Sequence, residues 1–125
     1  MDDVSKYVYL IDSDKLIVYL QETKKTTVNQ VNLFFNQVEN LANNNNFNII
    51  IDLSHASPPN AEIRNEIKIR FSTIDHLIDS YSLIIGSNIL LMVAAKFAMA
   101  SLGIKNFKIY RKKDEAIEYI KKNES

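Results

Sequence analysis

The chain has 125 residues, 46% of them hydrophobic and 24% charged, with fifteen basic residues balancing fifteen acidic ones. A chain of this length buries roughly two thirds of its unfolded surface, so it reads as one domain, 1–125, that needs no staples. Zero formal charge leaves no field to gather polyanions or an anionic bilayer. The absence of cysteine excludes disulfides, thiol nucleophiles and thiolate metal sites, and it suits a reducing cytoplasm.

The first ten residues, "MDDVSKYVYL", open with acids and lack a basic leader before an apolar core, so no secretory signal is expected. "KYVYLIDSDKLIVYLQ" places two β-branched and aromatic runs around the polar turn Asp12-Ser13-Asp14-Lys15, which predicts a hairpin. In "TTVNQVNLFFNQVENLA", Val28, Val31, Phe35, Val38 and Ala42 recur at helical spacing, with Thr26 or Thr27 as N-cap. The asparagine run 43–46 ends that helix, because asparagine tolerates left-handed backbone geometry.

"FNIIIDL" is a continuous apolar run suited to a strand buried on both faces. After the loop "SHASPPN", a helix over 60–79 is predicted, with Ile63, Ile67, Phe71, Ile74 and Ile78 on one arc and Arg64, Lys68, Asp75 and Asp79 away from it. "SYSLIIG" reads as the next strand, and Ser87 or Asn88 caps an apolar helix, 89–102, that Gly103 stops. "KNFKIYR" is the last strand, and Asp114 opens a final helix whose acids lead and whose lysines trail, as the helix dipole favours.

The longest apolar stretch, "LIIGSNILLMVAAKFAMASLGI", is broken by Gly86-Ser87-Asn88 and by Lys96 into pieces shorter than the roughly 20 residues a bilayer core demands. No integral membrane segment is expected. The densest basic cluster, "YRKKDE", is interrupted at once by acids, so nucleic acid is not an expected partner.

The order β-β-α-β-α-β-α-β-α predicts an α/β fold, with a mixed, mostly parallel sheet, an N-terminal β-hairpin and four helices. Three pieces of sequence, "IIIDLSHAS", "AEIRNEI" and "NFKIYRKKDEAIEYIKK", resemble the STAS fold, named after sulfate transporters and anti-sigma factor antagonists, and more closely the small bacterial proteins described as SpoIIAA-like or STAS/SEC14-like. The resemblance implies a regulatory, cytoplasmic protein-interaction module. In anti-sigma antagonists a serine at the start of the helix after Asp-Leu-Ser is phosphorylated by a kinase partner. Here Asn60, Ala61, Glu62 and Ile63 occupy that stretch, so the usual serine is replaced by Ala61 or Glu62.

Nothing in the sequence assembles a reaction. His55 and His76, the only histidines, have no companions at metal-ligand spacing, and no metal or other cofactor is expected. Asp52, Ser54 and His55 are too close in one turn to align as a triad, and two glycines cannot build a phosphate loop. No catalytic residue is therefore assigned. The expected contact surface lies where open α/β sheets place their sites, at the carboxyl ends of the strands. It comprises Asp52, Ser54, Ser57, Glu62 and Arg64 in the segment 52–64, and Ser87, Ile89, Met92, Lys96 and Met99 on the next strand-to-helix turn and helix. Ser54 and Ser57 also suit local turn and cap hydrogen bonds.

On that helix, Leu90, Leu91, Ala94, Phe97, Ala98 and Leu102 are expected to face the sheet. Lys96 would mark the outer side with Ile89, Met92, Val93, Met99 and Ala100, an apolar group that either packs under another element or receives a protein partner, most simply a second copy. The alternative function is binding of a small apolar or lipid-like ligand, in a cavity lined by Phe71, Ile74, Met92 and Phe97.

Overall fold

Strand alternation decides the architecture. In β2 (Ile17–Gln21), β3 (Phe47–Asp52) and β4 (Ile78–Ile84), nearly every apolar residue is buried, because helices cover both faces of the sheet. The computed structural model describes residues 4–23, 26–57 and 59–122. Val18, Leu20, Ile49, Ile51 and Leu83 point into one layer with α1 (Val28–Ala42), α2 (Ala61–Ile74) and α3 (Ile89–Ser101). Ile17, Tyr19, Ile50 and Ile84 point the other way, against Ala116 and Ile120 of α4 (Lys113–Lys122).

The sheet is mixed, and its five strands lie in chain order, β1-β2-β3-β4-β5. β1 (Val8–Asp12) is antiparallel to β2, and the remaining pairs, out to β5 (Phe107–Tyr110), are parallel. Right-handed crossovers that always step to the next position leave successive helices on the same face, which is why α1, α2 and α3 share a layer. Among the described residues, no helix is long and apolar enough to cross a membrane; the longest apolar stretch divides into β4 and α3.

Local chemistry sets the element ends. Thr27 caps α1 by accepting a hydrogen bond from the Gln30 N–H, and Asn43 ends it in the left-handed region at φ 49°. Asn60 and Asn88 cap α2 and α3 through bonds from the Ile63 and Leu90 N–H groups. The predicted helix over 60–79 is too long. α2 stops at Ile74, a short 3-10 turn follows (Asp75–Leu77), and Ile78 and Asp79 already belong to β4. Ile78 is in helical phase with Ile74, but pairing with Phe47 of β3 claims it for the sheet, and the Tyr81 phenol ties back to the Asp75 carboxylate.

The second departure concerns the roll of α3. Its buried residues are Ala95 and Met99, with Leu91, Met92 and Leu102 packed beside them. Leu90 and Phe97 face outward, opposite to expectation. An almost uniformly apolar helix has two interleaved stripes of similar hydrophobicity, so the pattern does not select one; close packing on the sheet favours the stripe that offers the small Ala95 and the adaptable Met99.

Candidate functional site

The carboxyl ends of the parallel strands are tied together around Asp52, the last residue of β3. Its side chain is buried, only 8% exposed. One oxygen accepts the Tyr19 phenol at 2.5 Å, and the other accepts the Ser54 N–H at 2.9 Å and the Ser54 hydroxyl at 2.5 Å. Burial first, and then the Asp52 carboxylate, push the Tyr19 phenol well above its usual range. Asp52 is thus a tie between β2, β3 and the following loop rather than an exposed contact. Ser54 is half-buried and uses its hydroxyl for this turn.

The loop after β3 meets the loop after β4 at one point. The Leu53 N–H donates to the Ile84 carbonyl at 2.8 Å. A Cβ on Gly86 would stand 3.3 Å from the Ser54 Cβ, and Gly86 has φ +68°. A glycine is needed here on both counts. Ser57, Glu62, Arg64 and Ser87 are exposed around this junction, with the Arg64 Nη1 donating to the Pro59 carbonyl at 3.1 Å.

α3 then carries the most apolar exposed face among the described residues: Ile89 is 64% exposed, Leu90 79%, Val93 67% and Phe97 78%. Lys96 is exposed beside them. Met92 is half-buried and Met99 only 3% exposed, so these two residues leave the expected contact surface and join the packing beneath the helix. Ile89 and Lys96 stay on the surface, and Leu90, Val93 and Phe97 replace the methionines.

On the opposite face, the ammonium of Lys113, at the start of α4, donates to the Tyr9 phenol and lies 4.1 Å from the centroid of the Tyr19 ring and 4.8 Å from that of Tyr9. The two rings are 4.9 Å apart. This cation–aromatic cluster fixes the end of α4 to the hairpin. No sequence pattern announces it, since Lys113 lies in a run of basic residues and its partners are about a hundred positions away.

Between α2 and α3 lies a cavity of about 140 Å³. Ile51, Leu53, Ile63, Phe71, Ala95 and Met99 form its apolar wall, and Glu22 and Arg64 also line it. Of the four residues expected around a ligand cavity, Phe71 is present. Ile74 is packed in the core, Phe97 points outward, and Met92 lies toward β5 beside Ile85 and Ile109. Glu22 was not anticipated. It is half-buried, and burial pushes its carboxyl up to about 7.

His55 and His76 are exposed and stand on separate segments. Among the described residues, no three His, Asp or Glu side chains converge into a metal-binding group.

No protein-family model matches the chain, and no curated protein matches its sequence. The NMR structure of the protein TM1081 is similar, with a TM-score of 0.60 and 19% identity, covering 91% of this chain and 88% of that one. At that identity the likeness concerns the fold alone.

Proposed function

We propose that the chain is a non-enzymatic, STAS-like regulatory or protein-interaction module of the cytoplasm that docks a protein partner through α3 and the neighbouring loop, 52–64. The observation that carries this reading is the exposure of Ile89, Leu90, Val93 and Phe97 along one side of a single helix. Leaving four large apolar side chains in water forfeits on the order of 1.5–3 kcal/mol each relative to burial, so covering them yields a strong apolar contact. Exposed Glu62 and Arg64 add charge that sets register at the rim of such a contact. Self-association is the simplest use of the face.

Sedimentation velocity and partner capture by the unmodified protein and by the double variant Leu90→Asp, Phe97→Asp test this. Both residues are exposed, so the variant is expected to fold normally, sediment as a monomer and lose capture. Unchanged self-association and capture by a folded variant would remove α3 as the contact.

A second reading is favoured by the cavity between α2 and α3, whose wall is predominantly apolar. It makes the chain a binder of a small apolar ligand. The two readings use opposite sides of α3 and are separable by mutation.

A further inference from the structure

Glu22 occupies a position that an apolar residue would be expected to fill. Its N–H donates to the Asp52 carbonyl at 3.0 Å, so the β2–β3 pairing continues one residue past the end of β2. Val18 and Leu20 face the three-helix layer. Strand alternation puts Glu22 next in that row, and its side chain lines the cavity between α2 and α3. Among the described residues, no hydrogen bond or ion pair reaches its carboxyl.

Among the described residues, the surroundings offer no substitute. β3 contributes Ile51 and α3 contributes Ala95, Ala98, Met99, Ser101 and Leu102, none of them titratable. The neighbouring Asp52 carboxylate is taken up by Tyr19, on the opposite face, and by Ser54. From α2, Arg64 is the charged residue on the rim, and its guanidinium is bonded to the Pro59 carbonyl. A carboxyl held against a mostly apolar wall is costly to ionise unless an opposite charge joins it.

We infer that the cavity between α2 and α3 is a binding site for a small hydrophobic amine, whose apolar body packs among Ile63, Phe71 and Met99 and whose ammonium pairs with Glu22. This rests on the second reading above and names its ligand class. The volume, about 140 Å³, suits a body of one ring or a short branched alkyl group, since an apolar cavity of about 150 Å³ accepts a benzene ring. An ammonium supplies both the opposite charge and N–H donors to a carboxyl that no described residue pairs with.

The ligand class has a pH signature. Burial holds Glu22 up to about 7, so near pH 5 the carboxyl is protonated and offers an amine no charge. As pH rises through that value the carboxylate forms while an alkylamine remains protonated, so affinity increases by about ten-fold or more between about pH 5 and pH 8. A carboxylic acid ligand would show the reverse, pairing with protonated Glu22 and Arg64 at low pH.

The experiment is a titration of isotopically labelled protein with benzylamine, benzyl alcohol and benzoate at both pH values, followed by NMR at the methyl groups of Ile63, Ala95 and Met99, for the unmodified protein and Glu22→Gln. Expected are tightest binding of benzylamine at the higher pH, a loss of about ten-fold at the lower pH, and loss of the amine preference in Glu22→Gln with benzyl alcohol binding retained. Equal binding of the amine and the alcohol by the unmodified protein at high pH, or tightest binding of benzoate, overturns the amine assignment and leaves the cavity. If none of the three probes moves those methyl signals, the cavity is no site and the second reading falls with the inference.

Discussion

Glu22 gives a stability prediction that needs no ligand. In an unfolded chain its carboxyl titrates near 4.5, and in the folded protein burial raises that to about 7. Below about pH 4 both states hold the proton, and the group contributes nothing to the pH dependence. Between the two values the unfolded chain releases its proton while the folded one keeps it, so stability falls as pH rises. Above about pH 8 the loss is complete. A difference of about 2.5 in pKa, at about 1.4 kcal/mol each, sets the loss at about 3 kcal/mol. For a chain of this size that corresponds to roughly 10 °C in Tm. Glutamine has the same shape and no charge, so Glu22→Gln removes this dependence and keeps the packing. Urea unfolding followed by circular dichroism from about pH 4 to pH 8, for both proteins, measures the effect. The stability difference is expected to be near its minimum at the acid end and to grow by about 3 kcal/mol in favour of the variant. Parallel pH profiles would refute the desolvated placement of this carboxyl.

Three further outcomes test other parts of the fold. Met99→Ala, beneath α3, should cost about 2–4 kcal/mol in urea unfolding, whereas Phe97→Ala, on its outer side, should cost less than about 0.5 kcal/mol; the reverse ranking would mean the helix is rolled the other way. Gly86→Ala should lower stability by about 1–3 kcal/mol in thermal melts, because an L side chain is strained at positive φ and its Cβ crowds Ser54. Asp52→Ala should cost about 2–4 kcal/mol in the same measurement by leaving the Tyr19 and Ser54 donors without their acceptor, and a loss below about 0.5 kcal/mol would show that the buried tie is not formed.

The element order was legible because the hydrophobic period changes cleanly along the chain. The continuous apolar run "LIVYL" gives way to helical spacing from Val28, and it and the runs "FNIII" and "SLII" are continuous because helices cover both faces. The end of α2 was not legible, since Ile78 prolongs the helical stripe by one turn while belonging to a strand. The roll of α3 was hidden for a related reason: "ILLMVAAKFAMAS" provides apolar residues all round, and only contact with the sheet distinguishes Met99 from Phe97. Part of the candidate surface could be read locally, namely Glu62, Arg64, Ile89 and Lys96. Asp52 could not, because the phenol that buries it comes from Tyr19, thirty-three positions earlier. Glu22 sits in the polar run "QETKKTT" and looks like a solvated residue until the continued strand pairing turns it inward.

The order of the strands has a consequence for how the chain assembles. Because β1 to β5 lie in the sheet in the order they are made, each newly emerged strand finds its neighbour already waiting, and the three-helix side can grow progressively from the amino terminus. The other side cannot. Ile17, Tyr19, Ile50 and Ile84 stay wet until the last helix arrives and Lys113 locks onto the first hairpin. A nascent polypeptide cut short before α4 would therefore present a half-clad sheet, and Lys113–Lys122 acts as the clasp that ends its exposure to chaperones and to other unfinished chains.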